Sequence, residues 1–158
     1  MQCIIEEQRD CTCWSVLDLK SGFHNIPVVH HQRCKLGLVT HDGLFCFCRM
    51  VVGLKNSPAW FQYVVNHVLL TAGVDAAAAF VDDLTVGGDL NDWQTVWRRT
   101  LRVMQALARA GFMFNLRKCC FCTPKAVVLG RELLQNGYHL SRKFLASWVG
   151  LCIPRTLA

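Results

Sequence analysis

The chain predicts an α+β fold, an antiparallel sheet backed by helices on one face. Three observations carry this expectation: short β-branched and aromatic runs end in turn residues, two longer segments repeat apolar residues at helical spacing, and the order is strand, hairpin, helix, hairpin, helix, hairpin. At 158 residues and 53% hydrophobic, the chain is long enough for one domain with a real core and too apolar to be disordered. A net charge of +6 suits a polyanionic partner without requiring one.

Taken in order, Trp14 to Leu19 reads as a strand, and Gly37 to Met50 as a hairpin turning at His41-Asp42-Gly43 with apolar residues in both arms. Ser57-Pro58 opens a helix, with the serine as cap and proline in the first turn. Its core face is expected at Trp60, Phe61, Val64, Val65, Val68 and Leu69, running to Leu70. A second hairpin spans Ala77 to Val86 and ends at Gly87-Gly88. Asn91 or Asp92 caps a second helix whose Trp93, Val96, Trp97, Leu101, Met104 and Leu107 are expected to face the core, with Arg98, Arg99, Arg102 and Arg109 off that stripe and Gly111 as C-terminal cap. Ala126 to Leu134 is a last apolar segment that turns at Asn136-Gly137 and continues through Tyr138-His139-Leu140.

Asp82 and Asp83 sit side by side in the apolar setting Phe80-Val81-Asp82-Asp83-Leu84, and Asp18 ends the run Ser15-Val16-Leu17-Asp18. Adjacent carboxylates in a tight apolar turn must be exposed or given a cation. An all-oxygen set without histidine or thiolate suits magnesium. The competing reading is a hairpin whose Asp-Asp is only a polar turn.

The ten cysteines include the pairs Cys11/Cys13 and Cys46/Cys48 and the cluster Cys119, Cys120 and Cys122, none with the repeated C-x-x-C spacing of structural zinc. In Leu44-Phe45-Cys46-Phe47-Cys48 the thiols alternate with aromatics, so reduced, buried, apolar cysteine is expected there. Glu6, Glu7, Arg9 and Asp10 come too early for a signal peptide, and no run reaches the length of a membrane span, so an intracellular protein with no membrane partner is expected.

The segments Ser15-Val16-Leu17-Asp18-Leu19-Lys20-Ser21-Gly22-Phe23-His24-Asn25-Ile26-Pro27-Val28, Gly53 to Gln62, Phe80-Val81-Asp82-Asp83, Lys118-Cys119-x-Phe121 and Leu129-Gly130 resemble, in order and approximate spacing, the motifs of the reverse transcriptase of gypsy-type LTR retrotransposons. The resemblance runs from about Trp14 to the C-terminus and implies a polymerase palm over 14–145, preceded by a remnant over 1–13 and followed by the start of a connection over 146–158. It implies RNA-directed DNA polymerase activity on an RNA or DNA template with primer. Asp18, Asp82 and Asp83, with the Leu19 carbonyl, would hold two Mg2+ (or Mn2+) ions that align the primer hydroxyl and a dNTP. Phe23, Lys35, Gly53 and Lys118 would attend the nucleotide. Asn56, Ser57, Pro58, Gln62, Leu129, Gly130 and Arg131 would attend template and primer, and the other Pol domains (fingers, thumb, ribonuclease H, integrase) would be partners. Met50-Val51-Val52 departs from the family's Met-Pro-Phe, Ala76 to Ala79 replaces bulky residues before the acids, and Gly87-Gly88 stands where a serine is usual. Alanine is a poor strand former, so the acidic hairpin is expected to be weak. These departures, with the absence of fingers and thumb, leave a truncated, inactive retroelement remnant as the alternative.

Overall fold

The computed structural model describes residues 8, 10–74, 77–135 and 137–149. The expectations for Ala76, for the Asn136 half of the last turn, and for most of 1–13 and 150–158 lie outside the described residues. The expected strand is β1 (Cys13–Asp18), followed by a short helix α1 (Gly22–Asn25) and a 3-10 turn (His30–Leu36). Next come the hairpin β2 (Gly37–Thr40) and β3 (Gly43–Cys46), helix α2 (Ser57–Thr71), and the acidic hairpin β4 (Ala77–Phe80) and β5 (Asp83–Gly88). Helix α3 (Trp93–Arg109), strands β6 (Cys120–Thr123), β7 (Ala126–Val128), β8 (Arg131–Leu134) and β9 (Gly137–Leu140), and helix α4 (Arg142–Val149) complete the order.

The α+β class holds, with three antiparallel sheets among the described residues in place of one. The central sheet runs β4-β5-β1-β6, while β2-β3 and β7-β8-β9 are separate. Alternation along β1 sorts the two faces of the central sheet. Leu17 and Leu19 join Leu84 and Val86 in the core under α2 and α3, together with Phe61, Val65, Val103 and Leu107. Trp14 and Val16 face the other way and are covered by Ala126, Val128 and Leu133 of β7-β8. Asp18 belongs to this second face, at the end of β1 that the small sheet does not fully cover.

Both long helices end where the backbone chemistry directs. Gly73 (φ +63) and Gly111 (φ +90) take the left-handed position past α2 and α3. The amides of Val74 and Phe112 then return to the carbonyls of Leu69 and Leu107, and those of Gly73 and Gly111 to Leu70 and Ala108. Asp92 caps α3 by accepting from the Thr95 amide. The start of α2 differs from expectation. Asn56 occupies the N-cap without a side-chain bond, and Ser57 Oγ donates backward to the Val51 carbonyl at 3.0 Å, anchoring the preceding loop.

The core stripe of α3 is also displaced from the expected one. Val96, Thr100, Val103 and Leu107 are buried, whereas Trp93 and Trp97 lie outside the core. Their rings are too broad for the close approach between α3 and β5, where Gly88 already sits against Val96 Cγ2; Trp97 turns instead to the edge of Phe121 on β6. Thr100 tolerates burial because its hydroxyl donates to the Val96 carbonyl at 2.7 Å. On α2, Trp60 and Leu70 likewise fall outside the buried set of Ser57, Phe61, Val65 and Leu69.

Gly87 and Gly88 do not end the acidic hairpin; they continue β5 and pair with Trp14 and Cys13. A Cβ at Gly87 would meet Cys11 Sγ at 2.6 Å, and one at Gly88 would meet Val96 Cγ2 at 2.6 Å, so the glycines permit both layers to close on the strand. The β2-β3 hairpin brings a further correction. All four residues of β3 are exposed, and Cys46 and Cys48 are exposed thiols rather than buried apolar residues, because no described layer covers this two-stranded ribbon. Among the described residues, the buried thiol is Cys13, which burial and neighbouring Cys122 push up to about 11.

Candidate active site

Asp18 and Asp83 are directly opposite each other across β1 and β5. Two like charges facing each other in an antiparallel pair oppose folding unless something neutralises them. Asp82 occupies the two-residue turn between β4 and β5, since Phe80 pairs with Asp83. In that turn Val81 has φ +52, a left-handed conformation that a β-branched residue rarely adopts and that glycine usually supplies. Gln62 on α2 holds it there. Its Oε1 accepts from the Val81 amide at 2.7 Å while its Nε2 donates to the Ala79 carbonyl at 2.8 Å. Strain at a braced turn that carries an acid is a frequent mark of a functional site.

Asp82 and Asp83 are held away from their ordinary state. Burial above all, then the charges of Asp18 and Asp83, raises the Asp82 carboxyl above the usual range, with Lys118 pulling back. Asp82 Oδ1 is buried with no hydrogen-bond partner. Gly22 lies against that oxygen, and a Cβ there would run into it. Asp83 is raised by burial and by Asp18, offset by the backbone N–H of Leu129 and by Lys118. Lys118 Nζ, on a largely exposed side chain, stands 3.6 Å from Oδ1 of the partly buried Asp18.

Each acid has its own support. The Asp18 amide donates to Cys119 Sγ at 3.4 Å, and that thiol donates to the Asn115 carbonyl at 3.3 Å. The Asn115 amide in turn donates to the Asp18 carbonyl at 2.9 Å. The Leu19 amide donates to the Asp82 carbonyl at 3.3 Å, tying the end of β1 to the acidic turn. Sequence reasoning missed the roles of Cys119, Asn115 and Gly22, and only the adjacency of Lys118 and Cys119 hinted at one of them.

Among the described residues, no three His, Cys, Asp or Glu side chains stand close enough together to hold a metal ion as placed. The donor set nevertheless fits a hard divalent cation: two facing carboxylates, a third beside them with a buried oxygen lacking a partner, and two carboxyls raised by burial and by the charge of Asp18.

The other expected site residues fall into separate groups. Phe23 is half-buried and stacks on Phe61 with centroids 4.9 Å apart, near Gly22 and hence near Asp82. Leu129 (φ +50) and Gly130 (φ +76) form the β7-β8 turn, which delivers the Leu129 amide to Asp83. Arg131 lies over the Tyr138 ring at 4.8 Å. Lys35, Lys55, Asn56 and Ser57 line a different cavity of about 460 Å3 that none of the three acids enters. Gly53 has φ +94 in an open loop, and Pro58 is exposed at the first turn of α2.

A strand-borne acid facing an acidic turn, on a sheet backed by two helices, is the arrangement of a polymerase palm. Residues 1–146 match the reverse transcriptase (RNA-dependent DNA polymerase) family, and the chain belongs to it. That family consists of nucleotidyltransferases that generally use divalent metal ions. The chain is 31% identical over 130 residues to a retrovirus-related Pol polyprotein from transposon opus of Drosophila melanogaster, covering 82% of this chain and 13% of that protein. It is 28% identical over 135 residues to the transposon Tf2-3 polyprotein of Schizosaccharomyces pombe, covering 85% and 10%. It therefore spans about a tenth of the curated relatives it matches. Among solved structures, a foamy viral protease-reverse transcriptase in complex with double-stranded DNA has the same fold, with a TM-score of 0.83 at 22% identity over 99% of this chain and 27% of the other. Among the described residues, no helix is long and apolar enough to cross a membrane.

Proposed function

We propose that this chain is the palm, over about residues 14–145, of a gypsy-type LTR retrotransposon Pol polyprotein, and that it transfers a nucleotide from a dNTP to a primer 3′-hydroxyl on an RNA or DNA template. The carrying observation is the Asp18–Asp83 pair across β1 and β5 beside the partnerless Asp82 oxygen. Asp18, Asp82 and Asp83, with the Leu19 carbonyl, would hold two Mg2+ or Mn2+ ions. When bound, these supply a Lewis acid for the phosphoryl oxygens and help to activate the hydroxyl.

The chain's own residues do the positioning. Gln62 and Gly22 fix the turn so that Asp82 stays at the end of β1. Phe23, resting on Phe61, presents a ring to the sugar of the incoming nucleotide and leaves no room for a 2′-hydroxyl. Lys118 shares the charge of Asp18 and is suitably placed to donate to the departing pyrophosphate. The Leu129-Gly130 turn, bonded to Asp83, carries the primer strand towards the acids, with Arg131 beside it. Asn56, Ser57 and Pro58 border the template side, and Gly53 and Lys35 attend the nucleotide, Lys35 from the cavity that Asn56 and Ser57 also line. Other Pol segments supply the grip on the duplex, and the protein works inside the cell.

The test has two parts. Thermal unfolding with millimolar Mg2+ or Mn2+ should show stabilisation that Asp82→Asn abolishes, since a ligand that binds only the folded state raises its stability. Primer extension on an RNA template, by a polypeptide that includes the flanking Pol segments, should fall by about two orders of magnitude or more in Asp83→Asn. An undiminished metal shift in Asp82→Asn would sink the metal assignment, and undiminished extension in Asp83→Asn would sink the polymerase reading.

A further inference from the structure

The helix layer is rich in positive charge; Asp92 at the start of α3 lies in the field of Arg98 and Arg99, whereas Arg102 and Arg109 lie further along the helix. Helices α2 and α3 together contain Arg98, Arg99, Arg102, Arg109 and His67 but no Asp or Glu, although the chain has 11 acidic residues. Among the described residues, none of the ion pairs involves an arginine. Arg102 and Arg109, both exposed, line a groove of about 580 Å3 between the C-terminal halves of α2 and α3. Val68 and Ala106 form its apolar floor, with His67 and Gln105 at its rim. The groove lies on the helix side of the central sheet, whereas Asp18 and Asp83 belong to the opposite face.

We propose that this groove docks an acidic helix of a protein partner, with two carboxylates seven residues apart on Arg102 and Arg109 and an apolar ridge on Val68 and Ala106. The spacing follows from helix geometry. Arg102 and Arg109 are two turns apart on one face, about 10.5 Å along the axis, the same interval that separates positions i and i+7 of a partner helix. A third helix fits naturally into the furrow between two others, and a guanidinium fork meets a carboxylate with two hydrogen bonds. The approach along α2 has the composition of an interface: Trp60 and Tyr63, 55% and 57% exposed, continue to His67. Nucleic acid fits this face less well. The three rings already stack on one another, Trp60 on Tyr63 at 5.2 Å and Tyr63 on His67 at 6.0 Å, so a base would not slot between them, and the groove floor is aliphatic.

The experiment is fluorescence anisotropy of the 158-residue chain with labelled synthetic helical peptides. One peptide bears Glu at i and i+7 beside an Ala/Leu ridge, a second bears Glu at i and i+5, and a third bears Lys at i and i+7; a single-stranded RNA oligomer is the fourth probe. The i/i+7 Glu peptide should bind about tenfold or more tighter than the other two peptides. Arg102→Glu with Arg109→Glu should remove that preference and favour the Lys peptide, whereas Arg98→Glu with Arg99→Glu should leave the order of the peptides intact. Circular dichroism checks that these exposed substitutions leave the fold unchanged. Equal binding of all three peptides, or no binding, overturns the proposal. Tighter binding of the RNA oligomer that is lost in the Arg102/Arg109 variant also overturns it and assigns the patch to nucleic acid.

Discussion

The two hairpins β2-β3 and β4-β5 are built alike and end up in opposite environments. Each has four-residue pairing around a two-residue turn, Thr40 with Gly43 in one and Phe80 with Asp83 in the other. By intrinsic preference the first is the better hairpin, with Leu38, Val39, Leu44 and Phe45 in its arms against three alanines in β4. Yet Val39 is 80% exposed and Leu44 71%, while Leu84 and Val86 are completely buried. The alanine strand succeeds because β5 pairs with β1 on its other edge and α2 packs against β4. Small side chains there admit the helix. What decides a hairpin's worth is the number of layers that close on it, and strand propensity is secondary.

The largest expected effect tests that rule directly. Leu84→Ala should cost about 2–5 kcal/mol of stability, as for a buried leucine with no room to collapse, whereas Leu44→Ala should stay within about 0.5 kcal/mol. Urea unfolding of the two variants side by side measures the contrast, and similar midpoints would refute it. Next in size is Gly22→Ala. Its Cβ would meet Phe61 Cζ at 2.8 Å as well as the Asp82 carboxylate, and overpacking of this kind costs about 1–3 kcal/mol. Metal-induced stabilisation should fall in the same variant.

Gln62→Ala sharpens the comparison at the turn itself. It strips the Val81 amide and the Ala79 carbonyl of their partners, a loss of about 1–3 kcal/mol when buried groups go unsatisfied. Hydrogen exchange should quicken at Val81 and leave the Asp42 turn unchanged; unaltered protection at Val81 would contradict the brace.

The smallest effect concerns pH. Asp82 and Asp83 have carboxyls raised by burial and by the charge of Asp18, with Asp83 adding to the rise at Asp82, so their protonated forms are favoured by folding. Their contribution to metal-free stability is fully present below the unfolded value of about 3.9 and is lost as pH rises through the raised folded values. Both groups are partly solvated, which limits the effect to about 1 kcal/mol or less. In chelator, Asp83→Asn should therefore raise the Tm at pH 7 and flatten the acid-side dependence. A lower Tm at pH 7 would mean that the Leu129 hydrogen bond outweighs the repulsion.

The sequence by itself determined the kinds of element and their order, because caps, turn residues and hydrophobic period are local. Asp92 before α3, Gly111 after it and the short alternating run ending at Asp18 could all be read without coordinates. It also marked the three acids, because carboxylates in apolar surroundings are costly wherever the chain goes. Only the tertiary structure decided which apolar residues are core. Val96, Thr100, Val103 and Leu107 displace Trp93 and Trp97 because Gly88 brings α3 too close to β5 for an indole. The thiols of Cys46 and Cys48 are exposed because nothing among the described residues covers their ribbon. The same holds for the supports of the site. That Gln62 braces Val81, that Cys119 bonds the Asp18 amide and that Leu129 reaches Asp83 all depend on residues brought together from distant parts of the chain, by packing that no local pattern encodes.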